Sequence, residues 1–221
     1  MGTGKAIQLI GHRGAAAHAP ENTLVSFNKA IAMGATMLEL DVHLSKDGEV
    51  VVIHDLNVDR TTSGNGAVSE LTFRDISRLD AGSWLNPAFA DEKVPSLSEV
   101  LALTSQGTCL NIELKAGDGI HRGLVDKVLH LIDNYKAQGL VVISSFHREY
   151  LADIKAKAPG LETALLYHED IPRVLDLVSR ENWDGIHPHH SLVDEQLVKG
   201  AKARGLAVRV WTVNQPQEMR R

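Results

Sequence analysis

Chemistry-bearing residues are densest between Met37 and Asp55, in Met-Leu-Glu-Leu-Asp-Val-His-Leu-Ser-Lys-Asp-Gly-Glu-Val-Val-Val-Ile-His-Asp. Leu38, Leu40, Val42 and Leu44 alternate with Glu39, Asp41 and His43, so this half reads as a strand with its acids and histidine on one face. Asp47-Gly48 is a strong hairpin signal. A two-residue turn there sets Asp41 across from His54, with Glu39 next along the same face. A three-residue turn with a bulge would shift that pairing. Two acids and a histidine on one face can hold a metal ion with an acid/base beside it. Taken alone, the same pattern also describes the wet face of an antiparallel pair, and only the rest of the chain separates the two.

The elements that must position these residues follow a regular rhythm. Ile7 to Ile10 reads as a short buried strand, running into Gly11-His12-Arg13-Gly14. Pro20-Glu21-Asn22-Thr23 starts a helix, with Leu24, Phe27 and Ile31 at helical spacing until Gly34. From 56 to 94 the pattern is irregular, apart from a short helix predicted over Thr72 to Arg78; loops of this length are usually functional lids or insertions. Ser96 and Glu99 then form a capping box, opening a helix through Leu103. Strands are predicted at Cys109 to Leu114, Leu140 to Ser144, Thr163 to Tyr167, Gly185 to His187 and Leu206 to Val213. Helices fall at Ile120 to Tyr135, Arg148 to Lys157, Pro172 to Arg180 and Asp194 to Arg204, with another beginning near Pro216.

Strands alternating with helices indicate βαβ units and a parallel sheet. Counting the hairpin as one unit gives seven strands, against the eight of a (β/α)8 TIM barrel. An open doubly wound sheet would want Gly-x-Gly-x-x-Gly after the first strand, and Gly11-His-Arg-Gly-Ala-Ala is not that. The expectation is an α/β chain, one barrel domain over residues 1–221 with an insertion at 56–94. Its last βα unit is missing, and the natural protein is expected to continue past Arg221.

Composition narrows the class further. The chain has 221 residues, 43% of them hydrophobic, enough for one sizeable core. A net charge of −5 leaves no footprint for nucleic acid or an anionic membrane. The single cysteine, Cys109, excludes an internal disulfide and reads as a small core residue in a reducing compartment. The opening Met-Gly-Thr-Gly-Lys-Ala-Ile-Gln-Leu-Ile is too short and polar for a signal peptide, and no run is apolar enough for a membrane anchor. A soluble cytoplasmic protein is expected.

In a barrel, polar residues at the C-terminal ends of strands are the ones to suspect. Strand ends supply His12 and Arg13, then Glu39, Asp41 and His54, then Glu113 and Lys115. Three carboxylates without a cysteine favour a hard divalent cation, Mg²⁺ or Ca²⁺, over zinc. Arg13 and Lys115 are good phosphate partners, and His12 and His54 can serve as general base and general acid near neutral pH. Cation, basic pair and histidine pair together describe phosphodiester cleavage.

The chain resembles the glycerophosphodiester phosphodiesterase family. The resemblance is carried by His12-Arg13-Gly14, Pro20-Glu21-Asn22-Thr23, Glu39-x-Asp41, His54-Asp55, Arg60-Thr-Thr-x-Gly-x-Gly66, Leu79-Asp-Ala-Gly-x-Trp84, Glu113-x-Lys115, Ser145-Phe146 and Trp211-Thr-Val-Asn214. It implies a TIM barrel hydrolysing a small-molecule glycerophosphodiester to glycerol 3-phosphate and an alcohol. Residue by residue, it implies Glu39, Asp41 and Glu113 as ligands of one divalent cation and His12 and His54 as the acid/base pair. Arg13 and Lys115 would hold phosphate, Phe146 and Trp211 would wall the glycerol pocket, and the 56–94 segment would be the family's capping insertion. The neighbouring glycerol hydroxyl is expected to attack phosphorus, giving a cyclic phosphate, with one histidine as base and the other as acid; the sequence does not fix which is which, and His12 is favoured as the base.

Other conspicuous residues read as ordinary ones. His43 is placed at the hairpin's outer end, and His18, His121, His130, His147 and His168 at surface or cap positions. Asn22 and Thr23 are read as helix caps, and Glu21 as a residue stiffening the site. His187, His189 and His190 are read as loop histidines, the alternative being a second metal cluster. Two other functions stand beside the main one. A His-x-His barrel hydrolase would build on His187-x-His189, and bound zinc would favour it. A non-catalytic, metal-stabilised binding barrel would have no use for two histidines, an arginine and a lysine, and inactivity of metal-loaded protein would favour it.

Overall fold

A computed structural model describes residues 7–117 and 123–219, and among these the chain forms two compact units. The first comprises residues 7–113 and 123–141, the second residues 114–117 and 142–219. The start of the helix predicted from Ile120, and His121, lie outside the described residues.

The first unit opens with β1 (Ile10–His12), shifted from the predicted 7–10. Ile7 and Leu9 are exposed, because parallel pairing with the next strand matches Ile10 to Met37, Gly11 to Leu38 and His12 to Glu39. Helix α1 (Leu24–Ala32) begins at Thr23, whose Oγ1 accepts from the Ser26 N–H. Strand β2 (Met37–Leu44) is buried on both faces. Leu38, Leu40 and Val42 are fully covered, and so, nearly, are Glu39, Asp41 and His43. The polar face of the hairpin is therefore not a wet one.

The turn into β3 (Val50–Val52) corrects the predicted register. Val42 faces Val52 and His43 faces Val51, and Ile53 N–H bonds Asp41 C=O, so Asp41 sits across from Ile53 rather than His54. Gly48, at φ 79, takes the left-handed region. Its N–H donates to Ser45 C=O, and the Ser45 N–H donates to Glu49 C=O. That is a three-residue turn closed by a bulge, which adds one residue to the loop and slips the pairing by one.

The irregular segment that follows is folded. Val58, Val68, Ile76, Ala81 and Val94 pack with Val51 and Ile53 into a small core, which explains how the long connection stays ordered. It contains α2 (Phe73–Ile76), capped by Thr72. Helix α3 (Leu97–Leu101) carries the predicted capping box: Ser96 Oγ accepts from Glu99 N–H, and Glu99 Oε2 accepts from Ser96 N–H. It continues as a 3-10 turn over Ala102–Gln106. β4 (Cys109–Leu114) neighbours β2 and has the predicted bounds, with Cys109 partly buried at its start. The unit ends with α4 (Leu124–Asn134).

In the second unit β5 (Val141–Ser145), β6 (Glu162–Tyr167), β7 (Gly185–Pro188) and β8 (Ala207–Val208) are parallel in that order. They alternate with α5 (Arg148–Lys157), α6 (Val174–Arg180), α7 (Glu195–Ala203) and finally α8 (Pro216–Met219). Leu165, Tyr167 and Ile186 from the strands meet Leu151, Val178, Trp183 and Ala201 in one core. Strand β8 is shorter than the predicted 206–213. The Arg209 and Trp211 N–H groups still donate to the Ile186 and Pro188 carbonyls, but Pro188 has no N–H to return a bond, so the regular ladder stops short. No helix among the described residues is long and apolar enough to cross a membrane.

Candidate active site

The site in the first unit starts from the turn after β1. Gly14 N–H bonds Gly11 C=O, and Arg13 itself has φ 54, a left-handed conformation that few non-glycine residues adopt. Three contacts hold it there: Arg13 N–H donates to Glu39 Oε2 at 2.9 Å, while Arg13 C=O accepts from Asn22 N–H and Ser26 Oγ. Gly14, at φ 82, backs onto Ser26, and any side chain there would strike it. The turn thus ties α1 to the acid-bearing strand.

On β2 and β4, Glu39, Asp41 and Glu113 bring one oxygen each within 4.8 Å of one another, and all three are buried. Among the described residues this is the one group of histidine, cysteine or acidic side chains arranged to hold a metal ion. The donor set fits a hard divalent cation, being all oxygen. The charge balance fits too: burial first, then Asp41 and Glu113, push the Glu39 carboxyl well above its ordinary range, against the pull of the Arg13 N–H and guanidinium. Asn22, expected only to cap a helix, instead turns its Nδ2 onto Asp41 Oδ2 at 2.9 Å. Because Thr23 is the cap, Asn22 precedes the helix and its side chain is free of that duty.

His12 lies beside this group, its Nε2 3.8 Å from Glu39 Oε2. Burial and then the Arg13 guanidinium lower its pKa to about 4, so it is neutral at pH 7. Its side chain keeps 38% of its surface open, as a group that meets a ligand must. His54 is close enough to contribute electrostatically to that shift. The hairpin register does not aim His54; two other contacts hold it beyond the end of β3. His43, far from standing at an outer end, is buried and donates from Nε2 to the His54 C=O at 3.0 Å. The His54 Nδ1–H donates to Asp55 Oδ1 at 2.6 Å.

Arg13 Nη1 donates to Glu21 Oε1 at 2.9 Å, and its Nε is 3.4 Å from Asp41 Oδ2, an ion pair without an aligned hydrogen bond. Glu21, the residue read as stiffening the site, is held in turn by Arg60. Sequence reasoning gives no role to Asp55 or Arg60, though both stand inside the family's motifs.

In the second unit, Lys115 follows β4 and is half-buried. Ser145 Oγ bonds Leu114 C=O, tying the end of β5 to the residue before Lys115. Phe146 and Trp211 meet edge to face, centroids 5.7 Å apart, and Trp211 Nε1 donates to His187 C=O. His168 packs on Phe146 at 5.6 Å and His189 on Trp211 at 5.2 Å, two rings that the sequence presents as surface or loop histidines. His187 is buried with its Nε2 unpartnered, and His189 Nδ1 pairs with Ser191 Oγ, so the three histidines of 187–190 do not gather as ligands.

Parallel strands alternating with helices, with carboxylates, histidines and arginine at the strand ends, define a TIM-barrel-class α/β enzyme. The sequence pattern of the glycerophosphoryl diester phosphodiesterase family matches residues 12–221, and the chain belongs to that family. It is 39% identical to a glycerophosphodiester phosphodiesterase of Caldanaerobacter subterraneus subsp. tengcongensis, over 96% of this chain and 88% of that protein. Among solved structures, an Oleispira antarctica phosphodiesterase in complex with the product sn-glycerol-3-phosphate superposes with a TM-score of 0.91 and 33% identity, covering 96% of this chain and 87% of its own. A glycerophosphodiester phosphodiesterase from Agrobacterium tumefaciens gives 0.86 and 28%, covering 97% and 91%.

Proposed function

We propose that this enzyme hydrolyses glycerophosphodiesters to sn-glycerol 3-phosphate and an alcohol, with one divalent cation, Mg²⁺ or Ca²⁺, held by Glu39, Asp41 and Glu113. The observation that carries the reading is the buried three-carboxylate group with His12, Arg13 and His54 around it. The product bound by the Oleispira antarctica relative supports the substrate class. The cation would neutralise the buried acids and stabilise negative charge developing on the phosphoryl group.

The chain's own groups then divide the work. Arg13 and Lys115 bind the phosphoryl oxygens, and Phe146 and Trp211 wall the glycerol. His12, neutral at pH 7, takes the proton of the glycerol 2-hydroxyl as that oxygen bonds to phosphorus. In this reading His54 keeps its Nδ1–H on Asp55 and reacts through Nε2; protonated there, it gives that proton to the departing alcohol oxygen as the P–O bond breaks. Water reopens the cyclic phosphate with the two roles reversed. An adjacent hydroxyl makes the first attack intramolecular, worth effective molarities of about 10⁵ M or more when aligned.

The histidines of 187–190 give no support to a His-x-His hydrolase, and family membership argues against a mere binding barrel. The single cysteine supports a cytoplasmic setting. The test is release of sn-glycerol 3-phosphate from a panel of glycerophosphodiesters, with and without chelator. Release that stops in chelator and returns with Mg²⁺ or Ca²⁺ is expected, and no release from any diester would overturn the reading.

A further inference from the structure

Arg60 stands in the insertion, yet its guanidinium grips two acids of the site. Nε and Nη2 donate to Asp55 Oδ2 and Oδ1 at 2.6 and 2.9 Å, and Nη1 and Nη2 donate to Glu21 Oε2 and Oε1 at 3.0 and 2.8 Å. Both carboxylates are held by both oxygens, the geometry a guanidinium provides and an ammonium cannot. The Arg60 side chain is 44% exposed, so these ion pairs are weak stabilisers of the fold. Their main effect is orientation. Asp55, with both oxygens held, can present Oδ1 to the His54 Nδ1–H in one direction only. Glu21, held on the other side of the fork, takes Arg13 Nη1 at 2.9 Å.

We propose that Arg60 is a positioning residue that fixes His54, through Asp55, as the Nδ1–H tautomer with Nε2 turned to the reaction, and steadies Arg13 through Glu21. The proposal rests on the acid/base role given above to His54. The insertion is then more than a cover: it carries the side chain that aligns the acid with the phosphate-binding arginine. Asp55 remains ionised at neutral pH without Arg60, so removing Arg60 costs alignment rather than charge.

The experiment compares wild type, Arg60→Ala, Arg60→Lys and Asp55→Asn by steady-state kinetics and by ¹⁵N-resolved NMR of the histidine rings, His54 being assigned by its loss in His54→Gln. Arg60→Ala is expected to lower kcat by about 10- to 100-fold with KM within about threefold. Its His54 signal should move from a single Nδ1–H tautomer to a mixture. Lysine should not restore either quantity, whereas added guanidinium ion should recover part of kcat in Arg60→Ala. Asp55→Asn should perturb the tautomer even though the fork's exposed partner is intact, which keeps the inference testable if Arg60→Ala folds poorly. An unchanged His54 tautomer in both variants, or kcat within about twofold of wild type in folded Arg60→Ala, overturns the proposal. Wild type that releases no glycerol 3-phosphate would overturn the functional reading instead, and the tautomer measurement still decides the role of Arg60.

Discussion

Glu39→Gln should separate stability from function in opposite directions. In metal-free protein Glu39 is buried with oxygens of Asp41 and Glu113 within 4.8 Å. Fully charged, each such pair would repel by about 3 kcal/mol at an effective dielectric constant of about 20. Partial protonation and the attraction of Arg13 cap what is actually stored, leaving about 1–2 kcal/mol for glutamine to relieve. Gln can still accept the Arg13 N–H, so the strand contact survives. For a chain of this size the variant should melt about 2–8 °C higher than wild type in chelator. The effect depends on pH with a definite sign. Glu39 has its pKa raised above 4.5 by burial and by Asp41 and Glu113. The folded state therefore binds more protons, and wild type loses this stability as pH rises from about 4.5 through the folded pKa. The gap between the proteins should widen on going from pH 5 to pH 8. Mg²⁺ or Ca²⁺ should raise the melting temperature of wild type and leave that of the variant nearly unmoved. A Glu39→Gln protein that melts below wild type in chelator, or gains as much from the cation, would refute the reasoning.

Four further outcomes are expected. His12→Ala and His54→Ala should each lower kcat by about 10² or more, and a substrate with hydrogen in place of the glycerol 2-hydroxyl should resist cleavage; turnover as fast as the parent's would replace neighbouring-group attack by direct water attack. Asn22→Ala removes the amide donor to Asp41, and should cost about 1–3 kcal/mol in urea unfolding and weaken cation binding in calorimetric titration by about 10-fold or more. His187, buried without a partner for Nε2, has its pKa lowered from 6.5 to about 3 by burial and then by Arg209. The unfolded chain binds more protons between those values, so wild type loses stability as pH falls from 6.5 towards 3; His187→Leu should flatten that slope between pH 7 and pH 5, and parallel slopes would count against it.

Much of this protein is legible in order along the chain, and the legible parts share a physical character. The caps at Thr23, Thr72, Ser96 and Asp194 are bonds between residues three apart, so their donors and acceptors stand side by side in the sequence. The bounds of β4 and α5 follow from apolar periodicity, which is local in the same sense. The acids and basic residues at the strand ends are identifiable because a parallel βα chain delivers the C-terminal end of every strand to one side. Family resemblance then supplies their roles.

What only the tertiary structure decided involves contacts between distant residues or the fine setting of a turn. One residue more in the turn at Lys46 to Gly48 moves Asp41 from His54 to Ile53, and the pattern of side chains cannot count that residue. Asn22 reaches Asp41 across 19 positions, and Arg60 reaches Glu21 across 39. Nothing in the types of Asn or Arg distinguishes such a partner from water. His43 and His187 look like ordinary polar positions in the sequence because burial is set by the elements packed around a residue, not by its neighbours in the chain. The sequence determined which groups exist and on which strand end each stands. Packing determined which of them touch, because a hydrogen bond's direction and a carboxyl's pKa depend on distances of a few ångströms that chain order does not encode.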